Sequence, residues 1–184
     1  NSNDNVVVKN NDKTAEKLLI DNENVTGQAN ANNVQNDKLN IETKQLKIFA
    51  NDQGYLFETV RADDKIYGGK FGQVLVSEVY PGVIKGLHLH HKQTDYTACI
   101  KGNIKYVAAK ERADGTAEVK VFTIGEKNPV LIKTPPEIWH GYMPLGNQPA
   151  TILHMMDKPY DFNDSDTERR DVYDFGDVWT VKPS

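Results

Sequence analysis

From residue 45 to residue 156 the chain is a succession of short strand-like runs, each ended by turn-forming residues. Gln45-Leu46-Lys47-Ile48-Phe49 stops at Asn51-Asp52-Gln53-Gly54, and Tyr55 to Arg61 stops at Ala62-Asp63-Asp64-Lys65. Gln73 to Tyr80 ends at Pro81-Gly82, and Val83 to His88 follows. Tyr96 to Lys101 passes through Gly102-Asn103 into Ile104 to Ala109, a hairpin pattern. Glu118 to Thr123, Pro129 to Lys133 and Ala150 to Met156 complete the series. About nine or ten short strands with no sustained helical period predict an all-β sandwich or barrel. The last 25 residues are charged and aromatic and are expected to wrap the outside.

Residues 1–40 are different. They hold twelve asparagines and no aromatic residue, and so can bury little apolar area against the entropy of ordering. They read as an extension or linker, with a swapped arm that adds a strand to a partner subunit as the alternative. Val6-Val7-Val8 is suited to a short strand and Ala15 to Ile20 to a helical turn. Residues 41–184 then form one domain, long enough to bury a core without staples. A net charge of −4 gives no basic face for nucleic acid or a membrane surface. No apolar run is long enough to span a bilayer. The single cysteine, Cys99, and the lack of a leader pattern predict a cytoplasmic protein.

All five histidines lie after Gly82, and three fall in Leu87-His88-Leu89-His90-His91. Side chains alternate along a strand, so His88 and His90 share one face while Leu87, Leu89 and His91 take the other. A His-x-His pair on one strand has the spacing of two metal ligands. A neutral imidazole is equally suited to removing a proton beside a ketone near pH 7, without metal.

The spacing from Gly82 through His88, His90 and Asp95 to Gly102 resembles the first motif of the cupin superfamily, with Asp95 at the usual glutamate. Pro135 and His140 resemble the second, with Glu137 at the usual glycine. The resemblance implies a cupin-type double-stranded β-helix (jelly roll) with a partly ordered N-terminal extension. In metal cupins the matching positions, here His88, His90, Asp95 and His140, hold a divalent transition metal.

A closer resemblance runs over residues 40–184. Gly54 with Phe57-Glu58, Phe71-Gly72-Gln73, Pro81-Gly82-Val83, Lys85-Gly86-Leu87-His88 and His140-Gly141-Tyr142 follow the order found in dTDP-4-dehydrorhamnose 3,5-epimerases. The run Lys85 to Tyr96, with Pro135-Pro136-Glu137-Ile138-Trp139-His140-Gly141, is similar to the epimerase-related branch. The resemblance implies an epimerase or isomerase of nucleotide-linked 4-keto sugars in polysaccharide precursor synthesis, with no cofactor. It implies His88 as base, Asp174 as its carboxylate, and His154 where the family has its acid tyrosine, with Tyr160 as a nearby alternative. It places Lys85, His90, His140, Arg61, Glu58 and Gln53 at the substrate, and it implies a homodimer. The chain departs from the family at Lys85 and Gln53, both usually arginine, and at His90, usually glutamine. Losing arginine at residue 53 removes a bidentate anion contact. A non-catalytic sugar-binding module and a metal-dependent cupin enzyme are the alternative readings.

Overall fold

The computed structural model describes residues 5–9 and 38–181. Strand β1 is Asn5–Lys9, β2 is Glu42–Gln45, β3 is Ile48–Asn51 and β4 is Gly54–Phe57. Then come β5 (Gln73–Val79), β6 (Lys85–His90), β7 (Asp95–Lys101) and β8 (Asn103–Glu111). The series continues with β9 (Thr116–Gly125), β10 (Val130–Thr134), β11 (Trp139–Pro144), β12 (Ala150–Met156) and β13 (Thr167–Arg169). One sheet has the order β1-β9-β8-β11-β6-β13, the other β2-β10-β7-β12-β5, and β3-β4 is a separate hairpin. Among the described residues every pairing of these strands is antiparallel. This is the expected all-β jelly roll. No helix of the described residues is long and apolar enough to cross a membrane.

Alternation divides the apolar residues into an inner layer and two outer ones. Val79, Cys99, Ile104, Tyr106, Ile124, Ile132 and Ile152 come from both sheets and pack together between them. The outer face of the six-stranded sheet presents Leu87, Leu89, Val107 and Trp139, and the C-terminal segment covers it with Phe175 and Trp179. Lys105 Nζ donates to the carbonyls of Val178 (3.2 Å), Trp179 (2.8 Å) and Thr180 (3.0 Å), which ties that segment down. The outer face of the five-stranded sheet is closed by Leu46, Ile66, Phe57 and Val60 over Tyr96, Ala98, Leu131 and Met155. Each fully buried Leu or Ile contributes roughly 1.5–3 kcal/mol, so both outer covers fix the sheets that carry the inner polar groups.

Several elements differ from the sequence reading. The run Gln45–Phe49 is broken because Leu46 turns inward, 3% exposed, with its N–H donating to the Pro129 carbonyl at 2.8 Å. Strand β11 has little strand signal, with Gly141 at its centre, but it is paired on both sides, by β8 and β6. Strand β13 lies in the segment expected only to wrap the outside, yet it extends the six-stranded sheet beside β6. Val6 to Val8 do form a strand, and it pairs with β9 of the same chain. The helical turn expected over Ala15 to Ile20 lies outside the described residues.

Candidate functional site

The inner faces of β6, β7 and β11 bring four of the singled-out residues together. Leu87 and Leu89 are buried on the outer side, so His88 and His90 face inward. His140 is in register with His88, and their ring centroids are 4.2 Å apart. His90 lies 5.4 Å from His88 and 5.7 Å from His140, between ring centroids. Asp95 reaches over from the facing sheet, with Oδ2 3.3 Å from His140 Nε2 and 3.6 Å from His90 Nε2. Its Oδ1 accepts from Gln93 Nε2 at 2.7 Å. His88, His90, Asp95 and His140 each offer a ligand atom within 4.8 Å of the others.

The His140 ring defines the electrostatics. Its Nδ1 lies 2.9 Å from the Ile138 carbonyl oxygen, which can only accept, so Nδ1 carries the proton. A neutral ring would then turn the bare Nε2 toward the Asp95 carboxylate. Both contacts are satisfied together only if Nε2 also carries a proton or a cation lies between it and the carboxylate. Three imidazoles and a carboxylate form a donor set suited to a divalent transition metal. His88 is pushed down to about 2, by burial first and then by His140 and His90. Burial also lowers His90, opposed by Asp95.

A second polar group adjoins the first. His154, on β12, places Nε2 3.2 Å from the Tyr142 hydroxyl and 3.3 Å from Ser77 Oγ, and those two oxygens are 3.1 Å apart. Its Nδ1 lies 3.4 Å from Thr97 Oγ1. Burial pushes His154 down to about 4 and raises Tyr142, so the ring is neutral and the phenol keeps its proton at pH 7. Tyr142 was not singled out in the sequence, although it stands two residues from His140 on the same face of β11.

Lys85 is brought to the same side. The register of β6 against β11 shifts between His140 and Tyr142, which places Lys85 opposite the inward Tyr142. Close approach of the two backbones at this irregularity requires glycine on both strands: a Cβ on Gly86 would lie 2.8 Å from Gly141 Cα, and one on Gly141 would lie 2.7 Å from the Lys85 carbonyl oxygen. Tyr160 lies at the rim, in a groove with His90, Gln93, Lys158 and Asp166.

Other candidates are held elsewhere. Asp174 does not reach His88. Its carboxylate is 3.3 Å from Arg170 Nε, and that guanidinium lies over the outer-face ring of Trp139 at 4.5 Å. The cause is strand alternation, which sends Arg170 to the opposite side of the sheet from His88. Arg61 is occupied by Glu58 (2.9 Å) and Asp63 (2.8 Å), so Arg61 and Glu58 satisfy one another outside the histidine group. Gln53 sits in the exposed β3–β4 turn, its N–H donating to Asn51 Oδ1. His91 faces outward, 2.8 Å from Glu137 and 3.6 Å from Glu168.

Comparison with known proteins agrees with this architecture. Residues 49–168 match the family described as polysaccharide biosynthesis C-terminal domain. The probable low-salt glycan biosynthesis epimerase Agl13 of Haloferax volcanii is 33% identical over 132 residues, covering 70% of this chain and 85% of that protein. The spore coat polysaccharide biosynthesis protein SpsL of Bacillus subtilis is 35% identical over 131 residues, covering 70% and 86%. The dTDP sugar isomerase of Desulfovibrio desulfuricans G20 superposes with a TM-score of 0.65 at 25% identity, covering 71% of this chain and 83% of that one.

Proposed function

Since the chain belongs to the polysaccharide biosynthesis C-terminal domain family, we propose that it is an epimerase or isomerase acting on a nucleotide-linked 4-keto sugar. Its place is in the synthesis of a polysaccharide precursor, in the cytoplasm. The observation that carries this reading is the inward-facing, neutral His88 beside two further histidines, Lys85 and the Tyr142–His154 pair.

His88 takes the proton from the carbon next to the ketone. The C–H electron pair moves into the ring and becomes an enolate on the keto oxygen. His90 is the donor available to that oxygen, Lys85 and His140 position the substrate around it, and the developing negative charge in turn favours the His88 imidazolium. On the other side of the ring the Tyr142 phenol returns a proton, and His154 and Ser77, bonded to that oxygen, stabilise the phenolate left behind. Tyr160, in the groove beside His90, contacts the sugar or its linked nucleotide. Incubation of nucleotide-linked 4-keto sugars in D₂O tests the reading: deuterium enters beside the ketone if it is right, and binding without exchange makes the protein a sugar-binding module instead.

A second reading is favoured by one contact, the approach of His140 Nε2 to Asp95 Oδ2 at 3.3 Å with Nδ1 already committed to Ile138. Here His88, His90, Asp95 and His140 hold a divalent transition metal. The bound metal supplies a Lewis acid for a keto oxygen. His88 is then a ligand, and the proton transfers fall to His154 and Tyr142. Metal analysis of protein purified without chelator separates the two: a stoichiometric transition metal replaces the metal-free reading.

We also propose a homodimer. Ile48, Phe49, Tyr55 and Leu56 of the β3–β4 hairpin are between 42% and 59% exposed, and Val74 and Val76 of edge strand β5 are 49% and 59% exposed. A monomer rarely leaves so much apolar strand surface in water. Sedimentation analysis at micromolar concentration tests it.

A further inference from the structure

We infer that Arg169, together with Lys85, forms the anion-binding rim of the cavity and takes the diphosphate of the nucleotide sugar; this rests on the substrate class proposed above.

Strand β13 sets the direction of Arg169. Thr167 Oγ1 lies 3.4 Å from His90 Nδ1, on the inner side of the sheet. Glu168 Oε2 lies 3.6 Å from the outward His91, and the Arg170 guanidinium covers the outer-face rings of Trp139 and Phe175 at 4.5 and 5.3 Å. Residues 168 and 170 therefore face out, and residues 167 and 169 face in. Arg169 is paired across the strands with His88, and its charge opposes protonation of that ring. Its side chain is exposed, on β13, the edge strand of the six-stranded sheet.

The charge inventory isolates this residue. The chain has four arginines. Arg61 is held by Glu58 and Asp63, Arg112 by Glu118 at 3.1 Å, and Arg170 by Glu111 at 2.7 Å and by Asp174. Among the described residues Arg169 makes no ion pair, and neither does Lys85, whose charge is felt at His154. Two uncommitted cations thus flank the histidine group, from β13 and from β6. A guanidinium offers a planar fork that meets phosphate oxygens two at a time, and an ammonium adds a point charge. This rim supplies an anion contact that Gln53 cannot make and that Arg61, already neutralised, does not offer.

The test is calorimetric titration with dTDP and with UDP, alongside exchange kinetics on the nucleotide-linked 4-keto sugar in D₂O. Arg169→Gln is expected to weaken nucleoside diphosphate binding by about tenfold to a hundredfold. It should raise KM by a similar factor, with kcat for exchange nearly unchanged. Arg169→Lys should recover part of the loss, Arg61→Gln should bind as wild type, and matching thermal melts would show that the folds are intact. Binding of either nucleotide by Arg169→Gln within twofold of wild type overturns the assignment. If the wild type exchanges an unlinked keto sugar but binds neither nucleotide, the diphosphate site falls and the epimerase reading stands. Arg169-dependent nucleotide binding without any exchange leaves the site standing and removes the epimerase reading.

Discussion

His140 Nε2 and Asp95 Oδ2 stand 3.3 Å apart, with the other nitrogen of the same ring held by the Ile138 carbonyl at 2.9 Å. Replacing the carboxylate by an amide, Asp95→Asn, puts a donor opposite Nε2 and removes an anion from the histidine group. The variant is expected to fold, with a melting temperature near that of wild type. If the group holds a divalent metal, its affinity for Zn²⁺ falls at least about tenfold. Calorimetry on the two proteins checks this, and equal Zn²⁺ binding would assign the metal to other residues.

The meeting of β6 and β11 is the least tolerant point of the site. A methyl group on Gly141 would lie 2.7 Å from the Lys85 carbonyl oxygen and 2.9 Å from Gly86 Cα, both backbone atoms. Gly141→Ala must push the strands apart, at a cost of about 1–3 kcal/mol. Urea denaturation should show the loss, and exchange activity should fall with it because His88, His140 and Lys85 are displaced together. An unchanged midpoint would mean that the strands have room to spare.

Stability should depend on pH in a defined window. Burial lowers His154 from 6.5 to about 4, so the folded chain favours the neutral ring. The unfolded chain binds more protons between those values, so this contribution is complete above pH 6.5 and is lost as pH falls toward 4. His88 and His90 shift the same way. His154→Gln should therefore flatten the decline without abolishing it. Urea midpoints across the window provide the check, and an identical slope in the variant would place His154 in solvent.

Much of this was legible in the sequence, and the rest was lost for physical reasons. Period-two alternation placed His88 and His90 inward and His91 outward, because Leu87 and Leu89 require a core. Motif spacing brought Asp95 and His140 to the same group. Alternation could not place Lys85, because the register shift at Gly86 and Gly141 resets the period. Strand β11 was missed because tertiary pairing on both sides overrides the weak propensity of a Gly-centred run. Arg169 was hidden in a charged tail, where the two-residue period of a three-residue strand is too short to stand out. Asp174 was expected beside His88, but β13 turns the intervening Arg170 to the far side of the sheet.

The Tyr142 hydroxyl is shared with His154 and Ser77, and the proposed mechanism uses it in proton return but not in proton removal. Tyr142→Phe is expected to keep deuterium exchange at the abstracted carbon while slowing inversion by about 10²–10⁴-fold. Following exchange and product stereochemistry in one NMR time course checks this. An equal loss of both would make the hydroxyl a packing element.

The central claim is that His88 removes a proton beside a ketone. Its most direct measurement is solvent deuterium entering the ring of a nucleotide-linked 4-keto sugar, read by NMR for wild type and for His88→Ala. The wild type should deuterate the carbon next to the keto group, and His88→Ala should not, while its nucleotide affinity stays within about tenfold of wild type. Exchange by His88→Ala at the wild-type rate would contradict the account.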